Sequence, residues 1–525
     1  MAYRRPGGGI EWTIEDAIPY HVPTLMKDVK DMSQNPEDGI RNAMPSDREG
    51  VRIVSSRTLC VLAVVALALA WTSPLPAQTS VAGRWEGAIS VVGQDFGIVV
   101  VFTDVGAAMT ASIDIPQQGA KAIPLRNVRA SGGSVHFELP AGPGLAVFEG
   151  TVTGDVMSGT FAQGAAKGTF EMKRGAAMRP EPPPPYRQEE VTIQAGAVTL
   201  AGTLTAPATA GAHPAVVLIT GSGPQNRDEE LFGVKPFKTI ADHLTRAGIA
   251  VLRCDDRGVG GSTGSVSKST TADFADDVLA EVRYLEARPD IDKAHIGLLG
   301  HSEGGLVAPM AAVKSRSVAF IVLMSGPALT GEKIMLAQAE LIAAAERVPE
   351  EQVRANADLQ RMIFAAVRSG TGWEAVTEAG EKLAMSAIAR LPEEQRKAMG
   401  DPQAVARQGI MAEVSRVRSP WFKFFLDYDP APTLAKVQVP VLALFGGKDL
   451  QVPTEPNRRV MEEVFAKSGL KDYRIVVMPG ANHLYQQANT GSVSEYTTLK
   501  KEFVPGFLDL LTTWIGERAG RAAQK

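Results

Sequence analysis

A chain of 525 residues exceeds the roughly 100 to 200 residues that one ordinary core organises, so two or three folding units are expected. Hydrophobic residues make up 45% and charged residues 21%, the balance of an average soluble globular protein, which argues against both a disordered chain and a multi-span membrane protein. The formal net charge is -4 at pH 7, and no Lys/Arg stripe is present to neutralise phosphates, so nucleic acid is not an expected partner.

The strongest apolar run, Leu59 to Trp71, follows Arg52 and Arg57 and precedes Pro74-Leu-Pro-Ala-Gln78. Basic, then apolar, then small residues near Ala77 is the pattern of a signal peptide over residues 51–77, which implies a periplasmic or secreted protein. As a helix the run rises about 20 Å, short of the roughly 30 Å hydrocarbon core, so no stable membrane span is expected. Signal peptides begin at the N-terminus, yet some fifty polar residues precede this one. Translation is therefore expected to start near Met44 or Val51, with residues 1–50 a non-native or disordered extension. The alternative is a cytoplasmic tail before an uncleaved anchor. Of the two cysteines, Cys60 falls within this segment, which leaves Cys254 without an internal disulfide partner. Cys254 ends an apolar run and is read as a small packing residue.

Residues 78–177 show short alternating runs, among them Gly97-Ile-Val-Val-Val-Phe102 and Ser134-Val-His-Phe-Glu-Leu139, separated by Gly, Asp and Pro. That rhythm predicts a small antiparallel β domain. The tract Arg179-Pro-Glu-Pro-Pro-Pro-Pro-Tyr186 favours extended geometry, so residues 178–187 are read as a linker. A hairpin-like pair follows, Glu190 to Ile193 and Thr199 to Ala206. Strands are then expected at Ala215 to Thr220, Ile249 to Arg253, His295 to Gly300, Ala319 to Met324, Val441 to Phe445 and Tyr473 to Met478. Helix-length stretches between them give βαβ alternation and a parallel sheet across residues 188–520. From about 327 to 430 the alternation stops for helical sequence, read as an inserted cap whose Met335, Met362 and Met385 are core filler.

Gly300-His-Ser302-Glu-Gly304 fits G-x-S-x-G, in which glycines permit the strained turn that lifts a serine hydroxyl above a sheet edge. Gly260-Gly-Ser262-Thr-Gly264 fits it as well, so the pentapeptide cannot choose between them. The flanks do: Ile296-Gly-Leu-Leu-Gly300 is a buried-strand run before Ser302, and Gly304 to Val313 opens a helix after it. Ser262 instead follows the polar turn Asp255-Asp-Arg-Gly258. Asp255 and Asp256 are read as turn residues bonded to Arg257.

A serine hydroxyl needs a base, and the base needs an acid to fix its tautomer. His483 lies just beyond the strand Tyr473 to Met478, and Asp449 lies just beyond Val441 to Phe445, so both are expected at one sheet edge. Asp429 precedes that strand, Glu455 opens the following helix and Asp472 sits at the opposite edge. His301 is expected to point away from Ser302 and to serve packing. An oxyanion would be held by the amide of Glu303 and by the loop Gly221-Ser-Gly-Pro-Gln-Asn-Arg-Asp228, with Ser222 the first choice and Gly223 the second. The histidines show no metal-ligand spacing, so no metal is expected.

Together these residues resemble the α/β-hydrolase superfamily, closest to bacterial carboxylesterases related to its serine-aminopeptidase-like branch. Thr220 stands where many members carry His. The resemblance implies an α/β-hydrolase sheet with an inserted helical cap, preceded here by a small all-β domain, and ester hydrolysis through an acyl-enzyme without metal or organic cofactor. Ser302 would be the nucleophile, His483 the base and Asp449 its orienting acid. Ser419-Pro-Trp-Phe-Lys-Phe-Phe-Leu-Asp-Tyr428 is a candidate substrate lining through Trp421, Phe422 and Phe425, with hinge packing as the alternative. The expected partner is a small-molecule ester, with short-chain acyl or aryl esters foremost, and a homodimer is allowed. A peptidase or amidase, and a surface or carbohydrate-binding protein on a hydrolase scaffold, are the competing functions.

Overall fold

The computed structural model describes residues 80–519, apart from 92–93, 106–107, 116–119, 142–143, 164–165, 176–182, 392, 394–395 and 397–400. The expected N-terminal extension, signal peptide and Cys60, and part of the Pro-rich linker, lie outside the described residues.

Nine strands come first: β1 (Gly83–Val91), β2 (Gln94–Val105), β3 (Ala108–Ile115), β4 (Ala120–Pro124), β5 (Arg126–Ser131), β6 (Ser134–Ala141), β7 (Gly144–Thr153), β8 (Val156–Gln163) and β9 (Ala166–Arg174). They form one antiparallel sheet in the order β4-β3-β2-β1-β9-β8-β7-β6-β5. The edge strands β4 and β5 are joined by Leu125 alone, whose N–H donates to Ala111 O at 2.8 Å on β3. The sheet therefore curls back on itself into a barrel-like unit, with β5 turning from β4 to lie beside β3. Alternation fills it: Val135, Phe137 and Leu139 of β6 are buried, as the two-residue strand period requires. Phe137 stacks on Phe148 at 4.5 Å between ring centroids and meets Phe102 and Phe170 edge-on. The ends are tied as well, since the Arg174 guanidinium lies 4.3 Å over the Trp85 ring and donates to the carbonyls of Ala82 and Ser80.

The second sheet comprises β10 (Tyr186–Ala195), β11 (Val198–Pro207), β12 (His213–Ile219), β13 (Ala250–Cys254), β14 (Ile291–His301), β15 (Val318–Met324), β16 (Val441–Gly446) and β17 (Tyr473–Met478). Its order is β10-β11-β13-β12-β14-β15-β16-β17, antiparallel through β10, β11 and β13 and parallel from β13 onward. Every residue of β12 and β16 is buried, as expected of parallel strands covered on both faces. The helices α1 (Pro236–Arg246), α2 (Thr271–Glu286) and α3 (Gly304–Lys314) fall between these strands. In α1, Phe237, Ile240, Ala241 and Leu244 recur at helical spacing and are buried. A capping box between Thr270 and Asp273 starts α2, satisfying two otherwise unpaired amides.

Between β15 and β16 the chain leaves the sheet for α4 (Gly331–Ala345), α5 (Glu350–Ser369), α6 (Trp373–Ala389), α7 (Pro402–Val417), α8 (Pro420–Asp427) and α9 (Ala431–Leu434). The helical insertion has its own core, including Ile363, Phe364, Val376, Ile410, Val414 and Phe422. Met335 joins that core, but Met362 and Met385 are exposed at 36% and 37%. They sit on the outer faces of α5 and α6, so their expected role as core filler does not hold. The sheet is completed by α10 (Thr454–Ser468) before β17 and by α11 (Phe507–Arg518) after it.

The edge strand β10 is fastened to the turn before β14 by Asp290, which accepts from Arg288 Nε at 2.9 Å and from Arg187 at 2.9 Å. Arg288 holds this carboxyl at about 2 against the upward push of burial, and Arg187 adds a smaller downward pull. A carboxylate depressed in the folded state stabilises above its ordinary value near 4, and that contribution is lost as pH falls toward 2. Asp290→Asn is thus expected to lower the Tm at pH 7 by about 2 °C and to leave it unchanged only once the pH is well below about 2. Parallel melts at the two pH values measure this difference.

Candidate active site

Parallel strands point their C-terminal ends one way, so residues that follow β12, β14, β16 and β17 converge at one edge. Ser302 follows β14 with φ 53, a left-handed conformation costing about 1–3 kcal/mol for a residue with a side chain. Its N–H donates to Met324 O at 2.8 Å and its carbonyl accepts from Gly305 N at 2.9 Å, so β15 and the first turn of α3 hold the bend. The flanking glycines permit the close approach. A Cβ on Gly300 would lie 2.0 Å from Gly304 O, and one on Gly304 would lie 2.3 Å from Ile219 O. Gly304→Ala is therefore expected to lower the Tm by several degrees, in line with the roughly 1–3 kcal/mol typical of overpacking. The matched control is Gly409→Ala, whose added Cβ meets nothing within 4 Å, and thermal melts of the two variants compare them.

Ser262, in the other copy of the pentapeptide, is buried. Its Oγ donates to Asp255 O at 2.8 Å and accepts from Ala201 N at 2.9 Å, so it ties a turn to β11.

His483 Nδ1 lies 2.8 Å from Asp449 Oδ2, and the two residues are only 5% and 4% exposed. Asp449 Oδ1 accepts from the amides of Gln451 at 2.8 Å and Val452 at 2.9 Å. Burial pushes the Asp449 carboxyl up, but the His483 imidazole, the Val452 amide and Ser325 outweigh it and hold the group below the ordinary carboxylate range. The other acids are engaged elsewhere: Asp429 accepts from Ala431 N, Glu455 pairs with Arg458 and Asp472 with Arg518.

The loop after β12 is fixed by carboxylates. Thr220 Oγ1 donates to Asp256 Oδ1 at 2.6 Å, and Gln225 N donates to Asp256 Oδ2 at 2.8 Å. Asp255 accepts from Arg227, whereas Arg257 pairs with Asp277 of α2. The expected bonding of Asp255 and Asp256 to Arg257 is thus replaced by longer-range pairs, because the chain turns the two acids back toward the 220–228 loop. Gly221 N donates to Glu229 Oε1 at 2.8 Å.

Gly221, Ser222, His301, Ser302 and His483 share a solvent-open cleft. Its apolar side is built by Leu231, Phe232, Leu484, Val493 and Tyr496, with Phe232 and Tyr496 edge-to-face at 5.4 Å. Ser222 faces the cleft, while Gly223 lines a separate cavity bounded by Asp256, Arg257 and Glu281. Glu303 turns its side chain inward, accepting from Thr271 Oγ1 at 2.7 Å and Trp421 Nε1 at 2.8 Å. Burial raises its carboxyl above the ordinary range although Thr271, Trp421 and Ser222 all donate to it.

Two expectations are corrected here. Trp421, Phe422 and Phe425 belong to the core of the insertion, with Trp421 stacked on Phe425 at 5.2 Å, and none of them lines the cleft. The amphipathic α8 turns these rings inward, and the aromatic walls come from Phe232 and Tyr496. His301, expected to point away, lies with its ring centroid 4.7 Å from that of His483. Its Nδ1 lies 2.8 Å from Glu229 Oε1, and its Nε2 lies 3.0 Å from His483 O. Glu229, Phe232, Gln451 and Tyr496 had carried no sequence signal of this role: Glu229 is one acid in Asp228-Glu-Glu230, and the others come from loops whose course is set by distant contacts.

Residues 234–486 match the family model described as serine aminopeptidase, S33. Over 305 residues the chain is 28% identical to Esterase EstD of Thermotoga maritima, an alignment covering 58% of this chain and 61% of that protein. Among solved structures, a Pyrococcus furiosus esterase is 16% identical with a TM-score of 0.37, covering 63% of this chain and 90% of that one. A proline iminopeptidase of Mycobacterium smegmatis is 17% identical with a TM-score of 0.40, covering 63% of this chain and 99% of that one.

Proposed function

We propose that this chain, a member of the α/β-hydrolase superfamily, is a serine carboxylesterase that works through an acyl-enzyme. The observation that carries this reading is a serine held at φ 53 in the same cleft as a histidine whose Nδ1 meets a buried carboxylate at 2.8 Å. Ser302 Oγ attacks the acyl carbonyl carbon while His483 Nε2 takes its proton, and Asp449 keeps Nδ1 protonated so that Nε2 is free to accept. The oxyanion forms between the amides of Ser222 and Glu303, each such donor contributing roughly 10²-fold or more. Collapse of the intermediate breaks the ester C–O bond, and His483 returns the proton to the departing alcohol. Water, deprotonated by the same imidazole, then releases the acid and restores Ser302.

The lining favours esters over aminoacyl amides. Glu229 is the one carboxylate among the described cleft residues, and it faces His301, leaving no open carboxylate there for a substrate amine. Phe232, Leu231 and Val493 suit a short acyl chain or an aryl group, and the helical insertion acts as the cap that limits access. Labelling with a fluorophosphonate probe, followed by a panel of p-nitrophenyl esters against aminoacyl p-nitroanilides, tests the reading. Faster turnover of the anilides would replace it with the peptidase reading suggested by the family model.

We propose that the mature protein is periplasmic or secreted, a reading supported by the basic, apolar, then small-residue pattern of residues 51–77. N-terminal sequencing of the exported protein should begin near Gln78. No helix among the described residues is long and apolar enough to cross a membrane.

A further inference from the structure

Glu229 is fully buried with φ 51, an unusual backbone for a glutamate, and it contacts two loops of the site directly and a third through His301. Its Oε1 accepts from Gly221 N, in the loop that carries Ser222, and lies 2.8 Å from His301 Nδ1, on the residue before Ser302. The other nitrogen of His301 reaches the main-chain oxygen of His483 at 3.0 Å. We propose that Glu229 and His301 are positioning residues, a second carboxylate–imidazole pair that braces the oxyanion loop, the nucleophile turn and the His483 loop against one another. The proposal rests on the serine-esterase reading above.

A carbonyl oxygen can only accept, so His301 Nε2 carries a proton; with Glu229 ionised its oxygen can only accept at Nδ1, so Nδ1 carries one too. His301 is then an imidazolium, and a charge in a buried setting persists only with a partner. Burial pushes its pKa down, but Glu229, the His483 carbonyl and Asp449 raise it above the ordinary value. A neutral imidazole has one N–H and must release either Glu229 or His483. The remaining oxygen, Glu229 Oε2, is enclosed without a hydrogen-bond partner among the described residues. Such a cost is tolerated where geometry matters more than local stability.

The brace acts on the main chain of His483, where Asp449 acts on its ring. Asp449 selects the tautomer, and His301 sets where the imidazole stands relative to Ser302 Oγ. Displacement of about 1 Å can cost about 10²-fold in rate. Glu229→Gln removes the charge that keeps both nitrogens protonated. His301→Asn keeps a donor where Nδ1 was and loses the link to His483, whereas His301→Gln places a donor where Nε2 was and keeps it.

The test measures kcat, KM, fluorophosphonate labelling rate and Tm for the wild type and these three variants, with p-nitrophenyl acetate as substrate. E229Q and H301N are expected to lose about 10²-fold in kcat and labelling rate with KM within about threefold, and H301Q to recover to within about tenfold of wild type. Equal losses in H301N and H301Q, or losses that follow falling Tm across the set, overturn the brace in favour of plain packing. Should E229Q fail to fold, the H301N and H301Q pair still decides. A wild type that neither labels nor turns over esters defeats the serine-hydrolase reading itself; a wild type that does both, with H301N undiminished, defeats the brace alone.

Discussion

Ser302→Ala is expected to lower kcat by at least about 10⁴-fold and to end fluorophosphonate labelling, with KM and Tm little changed. The hydroxyl is the only group proposed to form a bond with substrate, so its loss removes an interaction made in the transition state. The cleft and the amides of Ser222 and Glu303 remain, and they account for the residual rate over water. The control is Ser262→Ala in the same pentapeptide pattern. Its hydroxyl links Asp255 O to Ala201 N, so that variant is expected to melt lower and to retain kcat. Undiminished hydrolysis by S302A, measured with enzyme free of wild-type carry-over, would sink the nucleophile assignment.

Asp449→Asn is expected to cost about 10⁴-fold in kcat while leaving the fold intact. The reason lies in how the two oxygens are used. Oδ1 already accepts from two amides, Gln451 and Val452, so an asparagine must keep its carbonyl there and turn its NH₂ toward His483. Nδ1 would then have to accept, the proton would move to Nε2, and Nε2 could no longer take a proton from Ser302. A wild-type carboxyl held below the ordinary range stays ionised through mildly acidic pH, so the wrong tautomer arises only by mutation. Neutralising the competing acids gives the contrast: Glu455→Gln and Asp472→Asn, which break pairs with Arg458 and Arg518, are expected to leave kcat within about twofold. Steady-state kinetics on the three variants distinguishes them.

Much of this site was legible in the chain because the fold delivers residues to one edge by strand ends. Ser302, Asp449 and His483 each stand within a few positions of an apolar run, and such runs are readable from composition alone. The same logic separated Ser302 from Ser262. What could not be read depends on facing. An amphipathic helix shows which residues share a side, but not whether that side looks into a cleft or into the core of the insertion, and Trp421, Phe422 and Phe425 went to the core. Asp255 stood two residues from Arg257 and found Arg227 instead, because sequence neighbours on a turn often diverge. Glu229 was hidden among three acids, and only its positive φ and its burial set it apart. The bend at Ser302 is expected to turn His301 away toward packing, yet the loop carrying His483 folds back to meet it.

The barrel formed by the first nine strands begins and ends on neighbouring strands, for β1 pairs with β9, and Arg174 at its exit clasps the carbonyls of Ser80 and Ala82 at its entrance. A unit whose entry and exit adjoin makes small demands on whatever follows it. It can be gained, exchanged or lost in one genetic event without opening a sheet edge, since every strand hydrogen-bonds within the unit. Domain exchange at the Pro-rich tract from Arg179 to Tyr186 would therefore leave the hydrogen bonds of both sheets intact.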